Sequence, residues 1–225
     1  MLFDFHTHTF LSDGDLLPME LIRRAIHNGY TAIAIADHAS ASTMERVVRE
    51  ISKDCELVAQ EWGFLAIPAV ELTHVPPSSI APLARCAKEF GAKVVVVHGE
   101  TVVEPVPPGS NRAAVECEDV DILAHPGLIA PEEVKIAAER GIYLEITCRK
   151  GHSLTNGHVA KLAMEHGARM VVNTDAHSPG DLLTEEFARI VALGAGIPES
   201  EMETVLIQNP LRLLSKIGVS IGQAK

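Results

Sequence analysis

Two histidines separated by one residue, His6 and His8, follow a short apolar stretch near the start of the chain. Residues 2–5 predict a buried strand, and side chains two residues apart on extended backbone point the same way, so both imidazoles could chelate one metal ion. Asp13 lies in the following Ser-Asp-Gly turn, whose small residues let the loop fold back over the strand end and offer a hard oxygen ligand. The pattern favours a metal site, although a His-x-His pair at a strand end can also be merely polar.

Ionisable residues also stand at the ends of the later apolar runs. The chain alternates β-branched runs with amphipathic stretches, which predicts seven strands separated by helices. The predicted strands are residues 2–5, 31–36, 64–70, 93–97, 120–124, 142–144 and 169–173. The residues that follow them are His6 and His8, Asp37 and His38, Glu71, His98, His125, Glu145, and Asp175 and His177. Buried strands otherwise avoid ionisable groups, so seven such endings in succession favour one shared site.

The stretches between the strands predict the helices. These are residues 18–29, 43–61, 80–90, 111–116, 131–140 and 155–166. From Asp181 onward the chain is predicted to be helical, with Asn209-Pro210 breaking the helix before a last apolar helix and a loose tail at residues 223–225. We expect a single domain over residues 1–225, with residues from about 196 onward forming a C-terminal helical cap and tail.

The distance between strands selects the architecture. Strands in a sheet lie about 4.8 Å apart, so in an open sheet the first and seventh would be separated by roughly 29 Å and could not share a site. A closed parallel barrel brings all the carboxyl ends around one mouth, which is where such barrels carry their chemistry. We therefore predict an α/β fold with a distorted, seven-stranded TIM-like barrel, and a doubly wound sheet as the alternative.

Composition narrows the class of protein. A length of 225 residues suits one domain, and only 4% aromatic residues suits a parallel sheet under helices better than a β-sandwich. The formal charge of −11 argues against a surface that grips long nucleic acid. No 18-residue apolar run and no secretory signal is visible, and the four cysteines have no paired spacing, so we expect a cytoplasmic protein with free thiols.

The ordered set of strand-end residues resembles the PHP (polymerase and histidinol phosphatase) family, up to about residue 190. The matching strings are His6-Thr7-His8 with Ser12-Asp13-Gly14, Ala36-Asp37-His38, Val70-Glu71, His98-Gly99, Ala124-His125-Pro126-Gly127 and Thr174-Asp175-Ala176-His177. The resemblance implies a distorted seven-stranded barrel that holds two or three divalent ions and hydrolyses phosphoesters.

The resemblance also implies a ligand set of nine residues. His6, His8, Glu71 and Asp175 resemble the ligands of one ion. Glu71 would bridge to a second ion held by His98 and His125. Asp13, His38 and His177 resemble the ligands of a third. Glu71, Asp175 and His177 are also assigned to catalysis on the same basis.

The chemistry of this set can be judged on its own. Six imidazoles and three carboxylates suit zinc, manganese or iron, whereas a structural zinc site would use thiolates and a calcium site would use oxygen ligands alone. Three divalent ions against three carboxylates would leave the site locally about +3 and attractive to a phosphate dianion. We expect a metal-bound hydroxide as the nucleophile and no covalent intermediate.

Basic residues follow the sixth predicted strand and are candidates for substrate contacts. Arg149 and Lys150 could clamp a phosphate group, and His152 could donate a proton to the leaving alkoxide. A basic run in a loop is more often simply solvated, so the two interpretations stay open.

Other polar residues have weaker claims. Glu145 could contact a metal or orient a ligand histidine, and Asp37 could support His38 or cap the next loop. Arg112 and His74 could reach the site, but a surface position is the favoured interpretation. Helix-end or surface roles are expected for His27, His158 and His166.

The combined prediction is a metal-dependent phosphoesterase acting on a small phosphate monoester such as histidinol phosphate. The alternative is a phosphodiesterase or exonuclease acting on nucleotides or oligonucleotides. A hypothesis of another class is a noncatalytic, metal-stabilised interaction domain, which ligand loss would indicate. We expect a small phosphate ester as partner, no membrane, and nucleic acid only as a short oligonucleotide. Oligomeric state has no signal in the sequence.

Overall fold

Strands and helices alternate along residues 1–219, which a computed structural model describes. The strands are β1 (Phe3–Asp4), β2 (Ala32–Ile35), β3 (His38–Ala39), β4 (Leu65–Leu72), β5 (Val94–His98), β6 (Ile122–Ala124), β7 (Tyr143–Thr147) and β8 (Met170–Asn173). The helices are α1 (Pro18–His27), α2 (Met44–Trp62), α3 (Pro77–Phe90), α4 (Ser110–Glu116), α5 (Pro131–Arg140), α6 (Asn156–His166), α7 (Glu185–Gly194) and α8 (Asn209–Lys216). Each predicted strand is present at its predicted place, with ends that differ by a few residues.

The strands form one parallel sheet in the order β1-β2-β4-β5-β6-β7-β8. The short β3 continues the course of β2 and pairs with β4, with His38 opposite Glu71. The first and last strands meet through a parallel bridge between Thr7 and Ala176, in which the His8 N–H donates to the Ala176 carbonyl at 2.8 Å. The sheet is thus a nearly closed seven-stranded barrel, which confirms the predicted architecture and excludes the open sheet.

Two apolar layers pack on opposite faces of the sheet. Alternate strand residues point inward, and on β2 these are Ala32 and Ala34, while Ile33 and Ile35 point outward toward the helices. Small inward residues suit the narrow barrel, because its interior is filled by side chains rather than left as a pore. The two faces together bury the β-branched runs from which the strands are predicted.

Helix α8 closes the amino end of the barrel. Its Leu213 and Leu214 are buried within the same apolar cluster as the inward strand residues. Lys216 of this helix lies 3.1 Å from the carboxylate of Asp121, which immediately precedes β6. The C-terminal part of the described chain therefore covers the end of the barrel opposite the predicted site.

The predicted helix break at Asn209-Pro210 is wrong. A π-helical turn, Thr204–Gln208, leads directly into α8, and Pro210 lies in the first turn of that helix. The wider π turn changes the hydrogen-bond register just where proline lacks an N–H, so the helical course continues. Asn209 is held by a hydrogen bond from its Nδ2 to the Met170 carbonyl at 2.9 Å. The predicted tail at residues 223–225 lies outside the described part of the chain.

Two strands extend beyond their predicted ends, at places where an ionisable residue interrupts the apolar run. Strand β7 extends to Thr147, so Glu145 lies within the strand instead of after it, and Glu71 likewise lies within β4. Both side chains are completely buried, which a sequence pattern that ends strands at charged residues does not predict.

All four cysteines are unbonded. Within residues 1–219, no helix has both the length and the apolar character required to cross a bilayer.

Candidate metal centre

The nine residues assigned as metal ligands all lie at the carboxyl end of the barrel. His6, His8 and Asp13 follow β1, His38 lies in β3, Glu71 in β4, His98 at the end of β5, His125 after β6, and Asp175 and His177 after β8. Six of them are buried, whereas Asp13 is exposed and His38 and His177 are half-buried. Strands far apart in sequence thus bring these side chains to one mouth.

Two buried carboxylates face three histidines in the inner part of the site. Oε1 of Glu71 lies 3.4 Å from Nε2 of His6 and 3.7 Å from Nε2 of His125. Oδ1 of Asp175 lies 3.1 Å from Nε2 of His8. The ligand atoms of His6, Glu71 and His125 all lie within 4.8 Å of one another, and so do those of His6, His8 and Asp175. These are spacings at which several side chains can share an ion.

A second group of ligands lies nearer the solvent. Oδ1 of Asp13 is 3.4 Å from Nε2 of His38 and 3.2 Å from Nε2 of His177. The ring of His8 lies between these histidines, with centroid distances of 4.2 Å to each. Nδ1 of His38 lies 2.6 Å from Oε2 of Glu71, which links this outer group to the inner one.

Several buried atoms of the inner group have no hydrogen-bond partner. They are Nε2 of His6, both ring nitrogens of His8, Oε1 of Glu71, Nδ1 of His125 and Oδ1 of Asp175. A buried polar atom without a partner costs about 1–3 kcal/mol, so a convergent set of them requires an explanation such as a bound ion. Nitrogen and oxygen donors in this mixture fit zinc, manganese or iron. The residues present therefore fit divalent ions.

The electrostatic environment favours the ligand forms of several side chains. Burial raises the pKa of Glu71, but His6 and His38 outweigh this effect and hold that pKa well below its usual range. Burial likewise opposes ionisation of Asp175, and the neighbouring histidines again lower its pKa. Burial, together with the adjacent His98, lowers the pKa of His125 to about 4. The carboxylates are thus ionised and His125 is neutral at pH 7, as metal ligands must be.

Glu145 supports the histidines from below. Its Oε2 accepts a hydrogen bond from Nδ1 of His6 at 2.7 Å and another from Nδ2 of Asn173 at 3.0 Å. Its Oε1 accepts the backbone N–H of His125 at 3.3 Å. The contact with His6 matches the orienting role that the sequence left open for Glu145. Asn173 was missed, since an amide at a strand end is also a common polar residue.

Two aspartates hold the loops around the site. Asp37 accepts hydrogen bonds from the N–H and hydroxyl of Thr9, at 2.7 and 2.6 Å, and from the hydroxyl of Ser12, which is next to Asp13. Asp4 accepts the hydroxyl of Thr174 at 2.6 Å, and burial raises its pKa to about 7. Sequence reasoning missed Asp4, although an acidic residue between two phenylalanines in a predicted strand was an available signal.

Unusual backbone geometry concentrates at this end of the barrel. Within residues 1–219, the non-glycine residues with positive φ are His74, His125 and Asp175, at 53°, 26° and 55°. Gly14 also lies at a close approach, because a Cβ there would be 2.6 Å from the carbonyl oxygen of His8. Strained backbone persists only where surrounding contacts enforce it, and it clusters at functional sites.

The predicted phosphate clamp lies beside the outer ligands. Nη1 of Arg149 is 3.5 Å from Oδ2 of Asp181, and the same carboxylate oxygen accepts the backbone N–H of His177 at 3.0 Å. Lys150 is exposed and lines, with Arg149, a cavity of about 540 Å³. Arg149 is therefore linked to the outer ligand His177 through Asp181. The carboxylate of Asp181 also neutralises part of the charge of the Arg149 guanidinium.

A further carboxylate, Glu104, reaches the site from the loop after β5. Its Oε2 lies 3.1 Å from Nε2 of both His74 and His98, and its Oε1 lies 3.3 Å from Nε2 of His152. The ring of His152 is buried and lies 4.3 Å from that of His125. Glu104 stands in a loop, where a polar residue is ordinary, so sequence reasoning did not single it out, whereas the surface position favoured for His74 agrees with its exposed side chain.

The remaining candidates lie elsewhere. Arg112 donates to Glu116 on its own helix at 2.7 Å, and both side chains are exposed. Nε2 of His158 contacts the Ile129 carbonyl at 2.8 Å, and His27 is exposed on α1. These contacts agree with the surface and structural roles that the sequence favours.

The sequence is similar to one family model and to several known proteins. The family model described as "PHP domain" matches residues 4–74, which include the first five residues of the ligand set. The uncharacterized protein MJ1295 of Methanocaldococcus jannaschii is 49% identical over 218 residues, covering 96% of this chain and all of that protein. Ribonuclease P protein component 3 of Methanosarcina mazei is 29% identical, over 95% of this chain and 89% of that protein.

Comparison with solved structures agrees with the barrel. An uncharacterized TIM-barrel protein, Bb4693 from Bordetella bronchiseptica, matches with a TM-score of 0.55 over 96% of this chain and 99% of that one. Because the two sequences are only 14% identical, the likeness concerns the fold alone.

Proposed function

The chain belongs to the PHP family, and from that membership we propose that it is a metal-dependent phosphoesterase. The observation that carries the proposal is the convergence of buried, unpartnered ligand atoms from four different strand ends at the mouth of the barrel. A structural core would leave such atoms paired or absent. Barrels of this kind also place their chemistry at this end.

The ligand set would hold two or three ions of zinc, manganese or iron. The proposed ligands of one ion are His6, His8, Glu71 and Asp175. Glu71, His98 and His125 are proposed for a second, and Asp13, His38 and His177 for a third. When bound, such ions act as Lewis acids toward phosphoryl oxygens and lower the pKa of water to about 7. Glu71, whose side chain is fully buried, would bridge two of them.

The surrounding residues supply binding and proton transfer. Arg149 is proposed to bind the phosphate group, since Asp181 holds it beside His177 and a guanidinium pairs well with phosphate oxygens. Lys150 would add positive charge at the same cavity. His152 is proposed to donate a proton to the leaving alkoxide, because it is buried against His125 with its Nε2 directed at Glu104.

A small phosphate monoester such as histidinol phosphate is the proposed substrate class. The net charge of −11 disfavours long nucleic acid, while a locally positive site would still attract a phosphate dianion. A cytoplasmic location is part of the proposal and is supported by the four free cysteines.

Two alternatives have specific support in the likeness to ribonuclease P protein component 3. Its name favours an RNA phosphodiester substrate, and equally a role as a protein component of an assembly. The second alternative, a noncatalytic domain, is less consistent with a chain in which all nine ligand positions are occupied by metal-binding residues.

A paired hydrolysis assay separates these functions. Metal-depleted protein is reloaded with zinc, manganese or iron(II), then given p-nitrophenyl phosphate, bis(p-nitrophenyl) phosphate and histidinol phosphate. We expect monoester hydrolysis that Glu71→Gln abolishes and the matched surface variant Glu116→Gln retains. Cleavage of the diester alone would replace the monoesterase by the phosphodiesterase. Bound metal without turnover of any ester would leave the noncatalytic domain.

A further inference from the structure

We propose that His74, His98 and Glu104 form an alternative divalent-cation site at the rim of the mouth, for an ion such as zinc, manganese or iron(II), in which Nε2 of His98 binds this ion instead of the second ion of the proposed function. Their ligand atoms all lie within 4.8 Å of one another. Neither Glu104 nor His74 belongs to the nine-residue set, and each approaches from a loop, after β5 and β4 respectively. The proposed site therefore includes two residues from outside the nine-residue set, and in it His98 would share an ion with His74 and Glu104.

The spacing of the donors fits one shared ion. Zinc ligands lie about 2.1 Å from the metal, so two ligands of a tetrahedral site are about 3.4 Å apart. Oε2 of Glu104 is 3.1 Å from Nε2 of His98 and 3.1 Å from Nε2 of His74.

The hydrogen bonding of His98 leaves its ligand nitrogen directed at Glu104. Nδ1 of His98 lies 3.2 Å from the carbonyl oxygen of Gly99, which can only accept, so Nδ1 carries a proton. In the neutral ring, Nε2 then presents a lone pair to a carboxylate oxygen. The contact is favourable when a cation lies between the two atoms, either a proton on Nε2 or a shared metal ion. A backbone carbonyl bonded to the other ring nitrogen is also the usual support of a metal-bound histidine.

The backbone of His74 provides an independent observation. Its φ is 53°, and a positive φ occurs, among non-glycine residues described here, only at His74, His125 and Asp175, of which the last two are proposed ligands. A left-handed conformation costs about 1–2 kcal/mol and is kept where function requires a particular side-chain direction. At His74 it brings the imidazole within 3.1 Å of the Glu104 carboxylate.

The loop that carries Glu104 is held at both ends. Oε1 of Glu100 accepts the N–H groups of Gly109 and Asn111, at 2.9 and 3.0 Å. Oδ1 of Asn111 in turn accepts the N–H of Glu100 at 2.9 Å. This tie closes residues 100–109 into a defined loop, so Glu104 is presented to the histidines by a fixed backbone.

Cobalt(II) binding to the full chain tests this site. Metal-depleted protein is titrated with Co²⁺, and bound equivalents are measured by equilibrium dialysis with elemental analysis and by visible absorption. Against wild type, we expect Glu104→Gln and His74→Asn each to lose one equivalent or to bind it at least about tenfold more weakly. The surface variant Glu116→Gln, which also removes one carboxylate, should bind as wild type does.

The two variants guard against a simple loss of structure. Glu104 is 39% exposed at its side chain, and asparagine tolerates the left-handed backbone of residue 74, so both should keep the thermal unfolding of the metal-free wild type. If both variants bind the same number of Co²⁺ ions with wild-type affinity, Glu104 is only a counter-charge and the site does not exist. Because the readout is metal content, weaker Co²⁺ binding by both variants, in a protein whose wild type hydrolyses no ester, would uphold this site and remove the proposed function.

Discussion

The two ends of the barrel have opposite chemistry. At the carboxyl end, His6, Glu71 and Asp175 are buried with polar atoms that have no protein partner. At the amino end, Leu213 and Leu214 of α8 pack among apolar inward residues of the strands. One sheet thus carries a mainly apolar end and an end that is ionisable and has several buried polar atoms without partners. In this barrel, the apolar packing that stabilises the fold and the residues proposed to bind metal therefore lie at opposite ends of the same strands.

This difference has an energetic consequence. Burying a leucine side chain contributes about 1.5–3 kcal/mol, whereas each buried ion costs several kcal/mol unless it is paired or bound to a metal. The amino end therefore stabilises the fold with or without metal. The buried polar atoms without partners at the carboxyl end weaken the metal-free fold, and ion binding would offset that cost.

The largest effect should come from removing the carboxylate at the centre of the mouth. Glu71→Ala should lower kcat/KM for the hydrolysed ester on the order of 10³-fold or more, because it deletes the carboxylate that is proposed to bridge two ions. Elemental analysis should show fewer bound ions, while far-UV circular dichroism remains that of the folded protein. Full activity in this variant, with Glu116→Ala as control, would remove the central assignment.

Shortening a side chain at the amino end of the barrel should have the opposite result, with a loss of stability and no loss of bound metal. Leu213→Ala should lower the free energy of unfolding by about 2–5 kcal/mol, because the side chain is fully buried and leaves a cavity. Chemical denaturation of the metal-free protein measures this loss, with the exposed Leu57→Ala as a control expected within about 0.5 kcal/mol of wild type. The ion content of the folded variant should not change. A reduced ion content would show that the two ends are coupled.

A conservative change beneath the ligands should have an intermediate effect. Glu145→Gln keeps the shape of the side chain but weakens its 2.7 Å contact with Nδ1 of His6. Metal affinity should fall about 10–100-fold, which corresponds to about 1.4–2.7 kcal/mol. Competition with a chromophoric chelator measures it, and Glu132→Gln on the surface of α5 is the control. Unchanged affinity would reduce Glu145 to a structural residue.

The smallest effect concerns pH. Burial lowers the pKa of His38, but Glu71 and Asp13 outweigh this and raise it to about 10 in the metal-free protein. The imidazolium contribution to stability is thus fully present below the unfolded pKa of about 6.5 and is lost as pH rises through about 10. Metal must displace this proton, and the pKa of the other outer histidine, His177, is raised as well, so apparent affinity at the outer group should rise at least about tenfold per pH unit between about pH 7 and 9.

Calorimetry in buffers of different ionisation enthalpy measures that displaced proton. At pH 7.5, each ion that binds to the outer group of Asp13, His38 and His177 should release one more proton from wild type than from the His38→Gln variant. Equal proton release by the two proteins would show that His38 is already neutral before the metal binds.

The barrel and most of the mouth could be predicted because strands and ligands have contrasting residue types. A run such as Val94–His98 is apolar up to its last residue, so a histidine there is conspicuous. Glu145 and Asn173 were harder, because their roles depend on a neighbour about 140–170 residues away. Glu104 and His74 stand in loops, where polar residues are ordinary and only the folded loop brings them together.

The sequence by itself determined the strand periodicity, the ionisable strand endings and, from them, the barrel and the chemical nature of the ligand set. These properties depend on residues close along the chain, where spacing dictates which side chains share a face. The tertiary structure alone decided that α8 fills the amino end, that Glu145 supports His6 from within a strand, and that Glu104 reaches His98. Such contacts join distant segments, and their geometry is set by how the closed sheet and its loops pack rather than by any local pattern.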